Sequence, residues 1–203
     1  MGLKERLIWH SISYHNHFEG YAEYYVPKKN GKGKKIQHVY VGEYYSQDLT
    51  RLRWVLLRFL YAVLFLGGAS AGIWGACIPV ESNRIWYVNL PEALVLPCMF
   101  WTFLTFIAYL GAVQEMKKGT YRFAIQGIRI GALLTSVCLL LSAIATAAFT
   151  FLHQNKYDSQ ELLSMGLLFA AALVMFAIYL IERQIPYKVR ENDTPLPSGS
   201  TIL

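Results

Sequence analysis

The chain has 203 residues, of which 55% are hydrophobic and 16% charged, with a formal net charge of +6. That balance is too apolar for an average soluble domain and excludes a disordered polyelectrolyte. Three cysteines, with no CxxC and no Cys/His spacing suited to zinc, exclude a disulfide scaffold and a zinc module.

In chain order, residues 3–13 place Leu3, Leu7, Ile8 and Ile12 on one helical face, with Lys4, Glu5 and Arg6 opposite. This predicts an amphipathic helix, lying either in the membrane interface or on the protein's own bundle. No stretch near the start reads as a cleavable leader. Arg6 stands where a myristoylation signal needs Ser or Thr. Phe18–Val26 and Ile36–Tyr45 are rich in Tyr, Val and Ile, and Asn30-Gly31 lies between them. They predict a Tyr-rich β-hairpin. A lone hairpin is marginal in water, so it needs a surface or a partner, and Tyr24, Tyr40 and Tyr44 are the expected partner-binding residues. Lys28, Lys29, Lys32, Lys34 and Lys35 suit an anionic membrane surface, at about 1 kcal/mol per Lys. The run lacks the spacing of a phosphate-binding loop, and two strands are too few for an RNA platform, so no nucleic acid is expected.

Four apolar segments follow, at Trp54–Cys77, Ala93–Val113, Ile130–Leu152 and Leu162–Ile181. A hydrocarbon core of about 30 Å needs about 20 helical residues, so each is long enough to span. Asp48 and Ser159 are candidate caps for the first and fourth spans. The loop Pro79–Pro91 carries Trp86 and Tyr87, which suit an interfacial aromatic belt. Asn89 with Glu92 reads as a capping box for span two, and Pro97 as a kink within it. Residues 186–203 read as a tail without regular structure.

Lys and Arg fix the expected orientation. Nine precede span one, three lie between spans two and three, and three follow span four, against only Arg84 and Lys156 in the other two loops. Both termini are therefore expected in the cytoplasm, and the positive net charge is largely this bias.

Small residues recur four apart at Gly68-xxx-Gly72, Gly127-xxx-Gly131 and Gly166-xxx-Ala170. They predict close helix packing, within one bundle or between copies. Few ionisable residues fall in or beside the spans: Arg58, Glu92, Glu115, Arg129 and Glu182. Arg58 is placed to snorkel. Arg129 either marks the interface or pairs with Glu115 or Glu182. His10, His15, His17 and His38 lack metal-ligand spacing, and no nucleophile–base set is present. No catalytic residue, cofactor or metal is expected. Cys77 and Cys98 both fall in the outer half of the membrane, which leaves a disulfide between them open.

The sequence thus predicts an all-α integral membrane protein of four transmembrane helices, preceded by a cytoplasmic amphipathic helix and β-hairpin. Its parts are an N-terminal region 1–47, a bundle 48–185 and a tail 186–203. The expected role is a non-enzymatic membrane subunit or scaffold in the plasma or bacterial inner membrane. Its expected partners are the bilayer with anionic lipid, other membrane subunits or further copies of itself, and a cytoplasmic protein bound by the hairpin. The alternative is an oligomeric transporter or channel component for a small or lipophilic solute, lined by Glu92, Arg129, Trp74, Trp101 and Pro97.

Overall fold

The computed structural model describes residues 21–27, 34–152 and 159–191, with the backbone alone for 21–27 and 34–39. The expected amphipathic helix, His10, His15, His17, Lys28, Lys29 and Lys32 lie outside the described residues. The chain is mostly helical and forms two compact units.

The larger unit is the helical bundle. Its helices are α1 (Arg51–Cys77), α2 (Trp86–Gly111), α3 (Gly127–Leu152) and α4 (Ser159–Gln184). A π-helical stretch, Tyr121–Gln126, leads into α3, so that helix runs unbroken from Lys118 to Leu152. All four are long and apolar enough to cross a membrane. Their order of packing is α1 on α4, α4 on α3 and α3 on α2, while the backbones of α1 and α2 hardly approach each other. Large apolar side chains point outward on every helix, among them Phe59, Phe100, Ile144 and Leu173.

Glycines set the close approaches. A Cβ on Gly68 would meet Val174 at 3.1 Å, and one on Gly72 would meet Leu139 at 3.2 Å. A Cβ on Gly131 would lie 2.7 Å from Thr102 Oγ1 and 3.2 Å from Thr102 Cα, and one on Gly127 would lie 2.6 Å from Thr105 Cγ2. These two pairs therefore pack inside the bundle. Gly166 has nothing within 4 Å of such an atom, and Gly166 and Ala170 face outward. Hydroxyl bonds add to the packing. Thr102 and Thr135 hydroxyls lie 3.0 Å apart between α2 and α3, Ser136 donates to the Ala172 carbonyl at 2.9 Å, and Ser164 donates to the Gly75 carbonyl at 2.8 Å. Hydrogen bonds of this kind hold helices where apolar burial gives no drive.

Helix starts depart from expectation. The residue flanking α1 is Thr50 rather than Asp48, and the Thr50 side chain makes no cap hydrogen bond. Helix α2 begins at Trp86, so Asn89, Pro91 and Glu92 are helical residues and the expected capping box does not form. Pro91 is the sixth residue of α2 and has no N–H to give the Tyr87 carbonyl, so the helix carries it at the loss of one intrahelical hydrogen bond.

The smaller unit is built from strands. β1 (Tyr21–Pro27) and β2 (Lys34–Tyr40) form an antiparallel hairpin, pairing Tyr24 with Gln37 and Pro27 with Lys34. The second strand ends at Tyr40 rather than Tyr45. β3 (Tyr44–Gln47) instead lies at the centre of a second sheet, between β4 (Glu115–Lys117) and β5 (Tyr187–Arg190). The expected irregular tail therefore contains a strand, with Tyr44 opposite both Lys117 and Arg190. In sequence, β3 precedes α1, β4 lies between α2 and α3, and β5 follows α4.

Candidate functional site

At one end of the bundle, where α1 and α3 start and α2 and α4 end, polar side chains join all four helices. Arg58 on α1 donates to the Leu110 carbonyl at 2.7 Å and to the Ala112 carbonyl. It thus takes up carbonyls left open at the end of α2. Its guanidinium lies 3.5 Å from the Trp54 ring centroid, a cation–π contact within its own helix. Glu182 on α4 is fully buried and accepts from the Tyr61 hydroxyl at 2.8 Å. Arg129 on α3 donates to the Glu182 backbone carbonyl at 2.8 Å and stands 3.9 Å from its carboxylate. Of the two carboxylates open to Arg129, then, the structure selects Glu182. Glu115 is on β4, exposed, and 3.9 Å from Arg190. Rings continue the join between α1 and α2: Tyr61 with Tyr109 at 5.2 Å, and Phe65 with Phe106 at 4.8 Å.

The opposite end is tied by a short 3-10 turn, Glu81–Arg84. Asn83 donates to the Ala76 and Ile78 carbonyls at 3.3 and 3.2 Å, closing the end of α1. Glu161, in the first turn of α4, accepts from Ser82 N–H at 3.1 Å and from the Ser82 hydroxyl at 2.7 Å. A carboxylate there also answers the positive end of the helix dipole.

Between these ties α1 and α2 leave a cleft of about 290 Å³. Its walls are Gly72, Ile73, Ala76 and Cys77 from α1 and Asn89, Glu92, Ala93, Val95, Leu96 and Met99 from α2, and Leu139 and Leu168 form its floor. Glu92 is the only ionisable carboxyl on this lining, and its Oε1 is buried with no hydrogen-bond partner among the described residues.

Of the expected lining residues, only Glu92 reaches this cleft. Arg129 is at the other end of the bundle, Trp74 and Trp101 are exposed at 67% and 44%, and Pro97 does not line it. Cys98 lies beside Cys138, sulfur to sulfur 3.9 Å, rather than beside Cys77, and all three are free. In the strand unit Tyr40 is buried. Its hydroxyl donates to the Glu43 carbonyl at 2.8 Å and accepts from Lys118 N–H at 3.1 Å, and its ring meets Tyr44 at 5.1 Å. A Cβ on Gly42 would strike that ring at 2.9 Å, so this glycine lets Tyr40 fold back on its own chain. Tyr40 is thus committed to the unit's interior. Tyr24, Lys34 and Lys35 hold strand positions in the hairpin. Among the described residues, no group of three His, Cys, Asp or Glu could hold a metal ion.

Sequence reasoning overlooked Tyr61, Ser82, Asn83 and Glu161. A Tyr inside an apolar run and a Glu in the first turn of a span were the available signals, since each has a polar group that a bundle must satisfy. Compared with known protein families, curated proteins and solved structures, the chain matches none.

Proposed function

We propose that the chain is an integral membrane subunit or scaffold without enzymatic activity, with four spans and both termini in the cytoplasm. The observation that supports the four-span topology is the β4–β3–β5 sheet. Its strands come from before α1, between α2 and α3, and after α4. A hydrogen-bonded sheet cannot straddle a bilayer, so these three segments belong on one side, as four crossings require. The same segments carry Lys117, Lys188 and Arg190, in keeping with the positive-inside bias.

Among the described residues, β1 and β2 pair only with each other, leaving a strand edge open on either side. Such an edge accepts a further strand, and we assign it to a cytoplasmic protein partner. Because Tyr40 is buried, the test uses Tyr24. Tyr24→Ser should strip a stoichiometric partner from the gently extracted chain while leaving the chain in the membrane fraction. Unchanged association would overturn the assignment. The cleft ending at Glu92 favours a second reading, a transporter or channel component for a small or lipophilic solute. Solute flux in proteoliposomes that Glu92→Gln abolishes would support it.

A further inference from the structure

The α1–α2 cleft changes character along its length. Glu92, Asn89 and Cys77 stand at one end, while Met99, Leu139 and Leu168 lie deeper. Glu92 and Met99 are seven residues apart on one helix, about 10 Å of rise. The apolar part therefore runs along the bundle from a single carboxyl, the same polarity as one leaflet of a bilayer. Small walls at Gly72, Ala76 and Ala93 keep the space open. Its 290 Å³ is about twice an engineered cavity of roughly 150 Å³ that takes benzene, which leaves room for roughly a dozen heavy atoms.

The polar end is a single carboxyl, that of Glu92. Glu161 already holds both Ser82 donors, whereas Glu92 Oε1 is buried with no donor among the described residues. A carboxylate head would set two acidic groups against each other there, and an alcohol would supply a donor but no charge to pair with a carboxylate. A protonated amine supplies both. We propose that this cleft binds an aliphatic amine carried on a single alkyl chain, with the chain along Gly72, Ala76 and Met99 and the amine on Glu92. The proposal holds whether or not the hairpin binds a partner or the ligand is moved across the membrane.

Cys77 lines the cleft and is exposed, so its alkylation reports occupancy. The full chain would be placed in phosphatidylcholine nanodiscs, whose lipid has no primary amine, and treated with N-ethylmaleimide. Labelling would be read at Cys77 by mass spectrometry. Dodecylamine should slow this labelling several-fold, and dodecanoate and dodecanol should not. Glu92→Gln should raise the dodecylamine needed for equal protection by about tenfold or more, the loss of one charge-assisted contact. Ala93→Phe, which fills the cleft, should remove the protection. Thermal melts establish that each variant is folded. If Glu92→Gln fails to fold, Glu92→Asp takes its place, keeping the charge but withdrawing it by a methylene. Equal protection by dodecanol, protection unaffected in the Glu92 variant, or no protection by dodecylamine would each overturn the proposal.

Discussion

Tyr61→Phe tests the polar join at the Arg58 end with the least disturbance. The change removes one oxygen and keeps the ring beside Tyr109. The lost bond is the 2.8 Å contact from the Tyr61 hydroxyl to Glu182, whose side chain is 0% exposed. A hydrogen bond to a charged group is worth about 1.5–3 kcal/mol in water-soluble proteins. Bonds between helices within a bilayer average about 0.6 kcal/mol and reach about 1.7, because the unfolded helices find other partners. Here the group left behind is a fully buried carboxylate, which favours the upper part of that range. Arg129 remains beside it and moderates the loss. The expected cost is about 1–2 kcal/mol. Reversible unfolding in mixed micelles, titrated with SDS, would measure it. Phe100→Leu, at an outward-facing position, should stay within about 0.5 kcal/mol of the parent. In a Glu182→Gln background the effect of Tyr61→Phe should shrink, since the two residues act through one contact. A Tyr61→Phe variant as stable as the parent, or an equal loss in both backgrounds, would refute the reasoning.

Two further predictions concern the packing of α2, α3 and α4. Gly131→Leu should destabilise the bundle by about 1–3 kcal/mol, because its added carbon meets the Thr102 backbone, whereas Gly166→Leu should leave stability within about 0.5 kcal/mol. The same SDS titration separates them, and similar losses would contradict the assignment of Gly131 to an internal contact. Mild oxidation of the extracted chain should join Cys98 to Cys138, which need close from 3.9 Å to about 2.05 Å, leaving one thiol free to alkylate. A Cys77–Cys98 link in the peptide map would contradict the packing of α2 against α3.

The spans were legible because bilayer length and apolar runs state the same requirement. Their ends were less so. Trp86–Leu90 reads as loop because Pro91 disfavours helix in the residue before it, yet α2 absorbs that proline near its start. The second sheet was not legible. β4 and β5 have three and four residues, too few for an alternating pattern, and their pairing joins segments separated by whole helices. β3 looked like a continuation of the hairpin because Tyr44 and Tyr45 are as strand-prone as Tyr40. Only the turn at Val41–Glu43, with Gly42 under the Tyr40 ring, divides them. At the candidate site, Glu92 was legible as a charge near a span. That it faces a cleft rather than capping a helix depends on how far α1 and α2 diverge, and one sequence gives no measure of that distance.

The subunit reading is tested most directly by native mass determination of the chain extracted gently from its own membrane, beside Tyr24→Ser treated identically. The account predicts a defined mass containing another polypeptide in fixed ratio, reduced to the chain alone in the variant. A homo-oligomer of this chain alone, with the same mass for both proteins, would contradict it.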